Sequence, residues 1–288
     1  MRHKKILAFD VGGTTTKSAI IVNKEVIDFR DTPTPIKLSE FLELIKLTIN
    51  HYKKLHQFDH IGMGLPGLIN YPQQTALVCP NLPYLNNFSP KIFNYDIRIA
   101  NDTDLALAGE MNLNKILSDC ALFTLGTGVG GAISIFGIKP FNIPYSGEFG
   151  HIKISLDGPQ CSCGQRSCLE SYIGSKPLLK EIRAKISPQI ENVEELFRLC
   201  KDSNPKAIEI VQKFSDYLAI AIANVVNITG IQTIILGGKI SKSSDVFMNL
   251  LKPRLIDKIS FYQYRDLNIR VALNSEKSAL FGVTSLFD

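Results

Sequence analysis

No stretch of this sequence stays apolar long enough to cross a bilayer. The most hydrophobic helix-like segment, Tyr217–Val226, falls well short of the ~20 residues a spanning helix needs. A secretion signal is missing as well: Arg2, His3, Lys4 and Lys5 make a basic start, but Asp10 cuts off the apolar run Ile6–Phe9 before an h-region forms. Nowhere are five or more like charges packed together, so the formal net charge of +5 is too diffuse to recruit nucleic acid. Six cysteines among 288 residues are too few for a disulfide scaffold. These absences lead us to expect a soluble, cytoplasmic chain whose partners are small molecules, with no nucleic acid and no membrane. The 45% hydrophobic and 20% charged residues provide for a substantial core and exclude disorder. The length suits one large domain or two of ordinary size.

The chain opens as strand, glycine turn, strand. Lys5–Phe9 is apolar, Asp10-Val-Gly-Gly-Thr14 breaks it, and Ser18–Val22 resumes with β-branched residues. Val26–Phe29 reads as a third strand, closed by Thr32-Pro-Thr-Pro35. Over 38–56, Leu38, Phe41, Leu42, Ile45 and Ile49 recur at helical spacing, with Ser39 as the expected cap. His60–Leu65 is a short strand ending at Pro66-Gly67, and Arg98–Ala100 another, ending at Asn101-Asp102 ahead of a helix over 103–113. Then the opening pattern returns as strand Ala121–Leu125, glycine turn Gly126–Gly131 and strand Ala132–Phe136, a coarse internal duplication. Residues 141–175 lack periodicity and read as loops. Helices are expected over 176–186, 193–200, 205–228, 244–252 and 278–287, and strands over 232–236 and 270–272. No linker separates the halves. The fold class is α/β, with two similar halves and a cleft expected between them.

Glycine-rich turns let backbone N–H groups converge on phosphate oxygens, although a plain hairpin also needs a glycine or two. In Asp10–Lys17, three threonines and a lysine add hydroxyl donors and a positive charge, and Asp10 can hold a magnesium ion through water. Gly126, Gly128 and Gly131 match G-x-G-x-x-G, but that fingerprint must open a helix, and Ala132–Phe136 is a strand pattern. The dinucleotide-binding reading is therefore rejected, and no G-x-x-x-x-G-K-[ST] occurs either. Asn101-Asp102 sits where a strand becomes a helix, so it is either a helix cap or a general base at the carboxyl edge of a sheet. His151, Cys161, Cys163 and Cys168 form H-x9-C-x-C-x4-C, a donor set that matches a closed, structural zinc site. Glu148 and Glu170 flank it, so a bound metal would fix two carboxylates beside it; the alternative makes both ordinary surface acids.

Six segments occur in the order seen in ROK-family sugar kinases: Asp-Val-Gly-Gly-Thr (10–14), Asn-Asp-Thr-Asp-Leu-Ala-Leu-Ala-Gly-Glu (101–110), Gly-Thr-Gly-Val-Gly-Gly (126–131), Gly-Glu-Phe-Gly-His-Ile (147–152), Cys-Ser-Cys-Gly-Gln-Arg-Ser-Cys-Leu-Glu (161–170) and Ile-Leu-Gly-Gly (235–238). The chain resembles that family over nearly its whole length. The resemblance implies an actin-like, ribonuclease-H-like fold of two domains, 1–108 plus 275–288 and 109–274, with a cleft between them. It implies an ATP-dependent kinase acting on the 6-hydroxyl of glucose or a related hexose, ahead of N-acetylmannosamine or N-acetylglucosamine and then fructose. Leu68, just past Pro66-Gly67, offers no polar group to an acetamide. By resemblance, Asp10, Gly12, Gly13, Thr14, Thr15 and Lys17 clamp ATP phosphates with Gly126, Thr127 and Gly128, while Gly237 and Gly238 border the adenosine. Asp102 matches the catalytic base, Asn101, Glu148, His151 and Glu170 match sugar ligands, and Gly67 and Asn81 complete the sugar wall. His151 then serves twice, toward zinc and toward sugar. Structural Zn2+, Mg2+ with ATP, and a homodimer belong to the same expectation. A sugar-responsive repressor of this family carries a DNA-binding module before the kinase-like part, and Asp10 already lies in the first hairpin, which weighs against that reading. Four positions depart from the usual pattern: Ser167 for Gly, Ala132 for Gly, Lys239 after Gly238, and Asp104 for Asn, the last expected to raise the pKa of Asp102.

Overall fold

The computed structural model describes residues 4–116, 119–143, 145–264 and 266–288. It divides into two compact units, one comprising Met1–Ser118, Phe136–Ser146 and Leu273–Asp288, the other Asp119–Ile135 and Gly147–Ala272.

In the first unit, β1 (Lys5–Val11), β2 (Thr15–Val22), β3 (Glu25–Pro33), β4 (His60–Leu65) and β7 (Ile97–Asn101) form one sheet in the order β3-β2-β1-β4-β7. The pairs β1–β2 and β2–β3 are antiparallel, whereas β1, β4 and β7 run parallel. Both faces of β1 are buried, which is why its sequence is almost continuously apolar rather than alternating. Leu7, Phe9 and Val11 pack with Phe41, Ile45, Ile49 and Tyr52 of α1 (Leu38–Leu55), while Ile6 and Ala8 pack with Leu105 and Ala108 of α2 (Asp102–Asn114) and with α8 (Ser278–Gly282). Helix α1 starts at Leu38 behind Lys37, without a side-chain cap; Ser39 lies inside its first turn and does not cap it. A hairpin absent from the sequence reading, β5 (Leu68–Asn70) and β6 (Thr75–Val78), follows β4.

The expected boundary after residue 108 falls within α2, yet the rest of that helix, to Asn114, groups with the first unit. Its packing explains this. A side chain at Gly109 would overlap the carbonyl of Ser278, and one at Gly282 the carbonyl of Leu105, so α2 and α8 touch through backbone. Glu110 is fully buried and accepts hydrogen bonds from Leu273 N (2.8 Å), Asn274 N (3.1 Å) and Ser278 Oγ. A buried carboxylate with that many donors is satisfied, and breaking the set would strand a charge.

The second unit repeats the strand pattern. Its sheet has the order β11-β10-β8-β9, built from β8 (Cys120–Leu125), β9 (Val129–Ser134), β10 (Thr233–Gly237) and β11 (Asn268–Val271). As with β1, β8 pairs antiparallel with the next strand across a glycine turn and parallel with a later strand on its other side. The duplication read from sequence is thus a duplication of topology. Strand β9 begins at Val129, inside the expected turn, and Phe136 lies beyond it at φ +54°. Helix α6 (Pro205–Thr229) is capped by Asn204, starts on proline and stops at Gly230, φ +74°. Helix α7 (Ser244–Ile256) continues past the expected end at 252, through Pro253. The remaining helices are α3 (Glu170–Ile173), α4 (Ser175–Lys185) and α5 (Glu194–Lys201). Among the described residues, no helix is long and apolar enough to cross a membrane.

Candidate active site

In the first unit the carboxyl ends of three parallel strands lie side by side: Asp10 is in register with Gly64, and Gly64 with Ala100. Loops at such an edge bind ligands in open α/β sheets. A Cβ on Gly64 would sit 3.1 Å from Leu105 Cδ1, so the missing side chain lets Leu105 of α2 pack closely on β4. Asn101 is the cap of α2, its Oδ1 accepting from Thr103 N (2.8 Å) and Asp104 N (3.1 Å). Asp102 is left at the edge, half-buried, accepting from Thr103 N (2.8 Å). Burial, then the charge of Asp10, and last that of Asp104 push its carboxyl up to about 7, against the pull of the Thr103 bonds. The extra carboxylate at 104 therefore acts in the expected direction, as a smaller influence than burial or Asp10.

The first glycine turn carries exposed Gly13, Thr14 and Thr15. Gly12 N donates to Thr15 O (2.8 Å). Thr34, which the sequence reading did not single out, braces the turn: its Oγ1 donates to Gly12 O (2.8 Å) and its N to Thr14 O (2.9 Å). Lys17 Nζ lies 4.0 Å from Asp10 and donates to Glu276 O (2.8 Å). Burial raises the pKa of Asp10, the Lys17 charge lowers it, and Asp31 raises it again. Asn81 lies against this turn, since a Cβ on Gly13 would be 3.5 Å from its own. Gly67, at φ +134°, has no room for a side chain beside Val78, and its carbonyl accepts from Asn101 Nδ2 (2.9 Å).

In the second unit, Gly126, Thr127 and Gly128 form the turn after β8. Gly126 O accepts from Ser175 N (2.9 Å) and Ser175 Oγ (2.7 Å), which seats the turn on the start of α4. A side chain at Gly128 would overlap Glu170, whose Oε2 accepts from Val129 N (3.0 Å) and whose Oε1 accepts from Ser162 Oγ (2.8 Å). Gly237 ends β10 in register with Thr124, and Gly238, at φ +84°, packs on Leu125 where no Cβ fits. The two glycine segments thus share one edge of this sheet.

The donor atoms of His151, Cys161, Cys163 and Cys168 all lie within 4.8 Å of one another. Cys161 Sγ is 3.7 Å from His151 Nδ1, and Cys163 Sγ is 3.7 Å from Cys168 Sγ. Zinc–sulfur bonds of about 2.3 Å at tetrahedral angles put sulfurs about 3.8 Å apart, so the set fits zinc. His151 Nε2 faces away from the sulfurs toward Glu148 Oε2, 3.9 Å off, and Cys161 Sγ is 3.8 Å from Glu170 Oε1. The cluster and both carboxylates therefore form one group. Lys153, unremarked in the sequence, donates to Cys168 Sγ (3.1 Å) and Arg166 O (2.8 Å), a cation placed where it would offset the thiolate charge of a metal-bound set. Ser167 takes the left-handed backbone at φ +63°, keeping the turn that glycine would make, and its buried Oγ has no hydrogen-bond partner among the described residues.

Known proteins of similar sequence include an N-acetylmannosamine kinase of Vibrio cholerae serotype O1, 29% identical over 258 residues that cover 86% of this chain and 88% of that one. A xylose repressor of Caldicellulosiruptor bescii is 26% identical over 246 residues, 78% of this chain and 61% of the repressor. Among solved structures, a ROK family glucokinase from Streptomyces griseus in complex with glucose and AMPPNP superposes with a TM-score of 0.81 at 19% identity, covering 98% of both chains. That likeness, with the duplicated sheets, makes the fold actin-like. Residues 6–288 match the ROK family from the first hairpin to the last helix, and the chain belongs to it.

Proposed function

We propose that this chain is an ATP-dependent sugar kinase that phosphorylates a hexose hydroxyl, the 6-position of glucose or a related hexose. The observation that carries the reading is Asp102, a carboxylate at the edge where three parallel strands end, with a pKa pushed up to about 7. A sugar hydroxyl is a weak nucleophile, and a carboxylate whose proton affinity approaches neutrality is suited to take its proton. The turn 12–15 with Lys17, and the turn 126–128, are the proposed donors to nucleotide phosphates, and Gly237-Gly238 is the proposed border of the adenosine. Magnesium bound with ATP supplies charge neutralisation, and Asp10 is the carboxylate suited to hold it through water. Asn101, Gly67 and Asn81 in the first unit, and Glu148, His151 and Glu170 in the second, are the proposed sugar ligands. Zinc on His151, Cys161, Cys163 and Cys168 is structural in this reading, holding Glu148 and Glu170 in place. A homodimer belongs to the same proposal, checked by light scattering.

Similarity to the N-acetylmannosamine kinase supports a 2-acetamido sugar as the second choice of substrate. Similarity to the xylose repressor supports a regulator that binds sugar without reacting. ADP release from Mg-ATP, assayed with glucose, mannose, fructose, N-acetylglucosamine and N-acetylmannosamine, separates these. Turnover on one sugar supports the kinase and names its substrate class. Silence on the whole panel, with sugar binding seen by calorimetry, overturns it in favour of the regulator.

A further inference from the structure

Asp104 is buried, with its carboxylate held by the hydroxyl of Tyr71, a half-buried residue just past β5. The same hydroxyl accepts from Asn101 N (3.3 Å). Asn101 in turn accepts from Asp104 N (3.1 Å) and donates to Gly67 O (2.9 Å). These bonds close a ring through Tyr71, Asp104 and Asn101 that encloses the backbone on either side of Asp102 while leaving the Asp102 side chain out of it. Tyr71 is itself tied down: Gln74 Nε2 donates to Tyr71 O (2.9 Å), and Gln74 Oε1 accepts from Ile99 N (2.7 Å) of β7. The β5–β6 hairpin is thereby fastened to β7 and to the first turn of α2.

We propose that Tyr71 and Asp104 are positioning residues for Asp102, Tyr71 holding the first turn of α2 against the β5–β6 hairpin and Asp104 placing a second negative charge beside the base. The proposal rests on the reading of Asp102 as the general base. A like charge nearby disfavours ionisation, so the brace fixes where the base sits and also how readily it holds a proton. Burial and the Asp104 charge push the Tyr71 hydroxyl far above its ordinary pKa, so it stays a protonated donor. The other charged and titratable groups around Asp102 are Asp10 on β1, itself paired with Lys17 of β2 and influenced by Asp31 of β3, and the Cys79 thiol just past β6. Burial and the Asp102 charge push that thiol up to about 11, so it is neutral and adds no charge. Asp104 is therefore the removable like charge that is not also part of the phosphate hairpin.

The test follows the Asp102 carboxyl carbon by NMR titration of the full chain, with the signal identified by its absence in Asp102→Asn. Asp104→Asn keeps an acceptor for Tyr71 and removes the charge, and the Asp102 midpoint is expected to fall by roughly half a pH unit. Tyr71→Phe removes the phenol donor from the Asp104 carboxylate and opens the ring; with the kinase assay, kcat is expected to drop about tenfold at unchanged KM for ATP. The double variant Tyr71→Phe/Asp104→Asn should recover part of that loss, because the buried charge that the phenol served is then gone as well. An Asp102 midpoint that stays put in Asp104→Asn overturns the proposal, and so does a Tyr71→Phe defect that the double variant deepens. Full turnover in Asp102→Asn would instead overturn the base assignment while leaving the titration result to stand by itself.

Discussion

Asp102→Asn should weaken the enzyme and strengthen the protein, and the second effect can be worked out from the site. The folded chain raises the Asp102 pKa from 3.8 to about 7 through burial first, then Asp10, then Asp104. Between those values the folded state holds a proton that the unfolded state has released, so stability falls as pH rises from about 4 to 7 and is flat on either side. Three units at about 1.36 kcal/mol each set a ceiling of about 4 kcal/mol on this cost at pH 8. Asparagine carries no charge to desolvate and can still accept from Thr103 N. It gives up the acid in the first turn of α2, worth about 0.3–1 kcal/mol, and residual contact with water lowers the ceiling further. A gain of about 1–3 kcal/mol is therefore expected at pH 8, none at pH 4, with the change between them following the titration. Urea unfolding of both chains across this range measures it, while turnover at pH 8 should fall by about 10²–10⁴ with sugar binding retained. A variant that is less stable at pH 8, or whose gain is the same at every pH, refutes the electrostatic account. Unchanged turnover removes Asp102 from the chemistry.

Ser167→Gly should raise stability by about 1 kcal/mol in thermal or urea unfolding, since the left-handed backbone and the buried, unpartnered hydroxyl each cost more than glycine's extra chain entropy; a less stable variant would mean that the hydroxyl is in fact satisfied. Cys163→Ser should lower zinc content by mass spectrometry and weaken sugar binding together, and retention of both contradicts a structural metal. Gly128→Ala puts a methyl where the Glu170 carboxylate sits, so sugar affinity by calorimetry should fall about tenfold or more; unchanged affinity would take Glu170 out of the sugar site.

Local chemistry was legible in the sequence where its partners are close along the chain. The candidate zinc ligands fall within a span of 18 residues, 151–168, and the structure brings all four donor atoms together. Both glycine hairpins were visible because apolar strands flank them. What stayed hidden depends on contacts across long separations or on very short elements. Nothing near Thr34 announces that it braces the 12–15 turn, and nothing near Tyr71 announces Asp104. Strands of three and four residues, β5 and β6, carry too little periodicity to register. Ser39 illustrates the converse: a good capping residue two positions past the observed cap, Lys37, and already inside the first turn of a helix that starts at Leu38.

The segment 101–110 shows why a motif is not a list of functional residues. Read as a string, it is one block with the proposed base at its second position. In three dimensions its first part caps a helix and leaves a carboxylate at a sheet edge, while its last part, Gly109 and Glu110, two turns further along, locks α2 to α8. Both ends need particular residue types, but for unrelated reasons: Asp102, in the proposed function, because a proton must move, Glu110 because three backbone and hydroxyl donors from residues 273–278 converge on it. Rigid seating of α2 by Glu110 is also what gives the Tyr71–Asp104 ring a fixed helix to act on. The proposed base is thus held from two directions, by a buried carboxylate two turns along its own helix and by a phenol from a hairpin whose strands are too short to register as a periodic pattern.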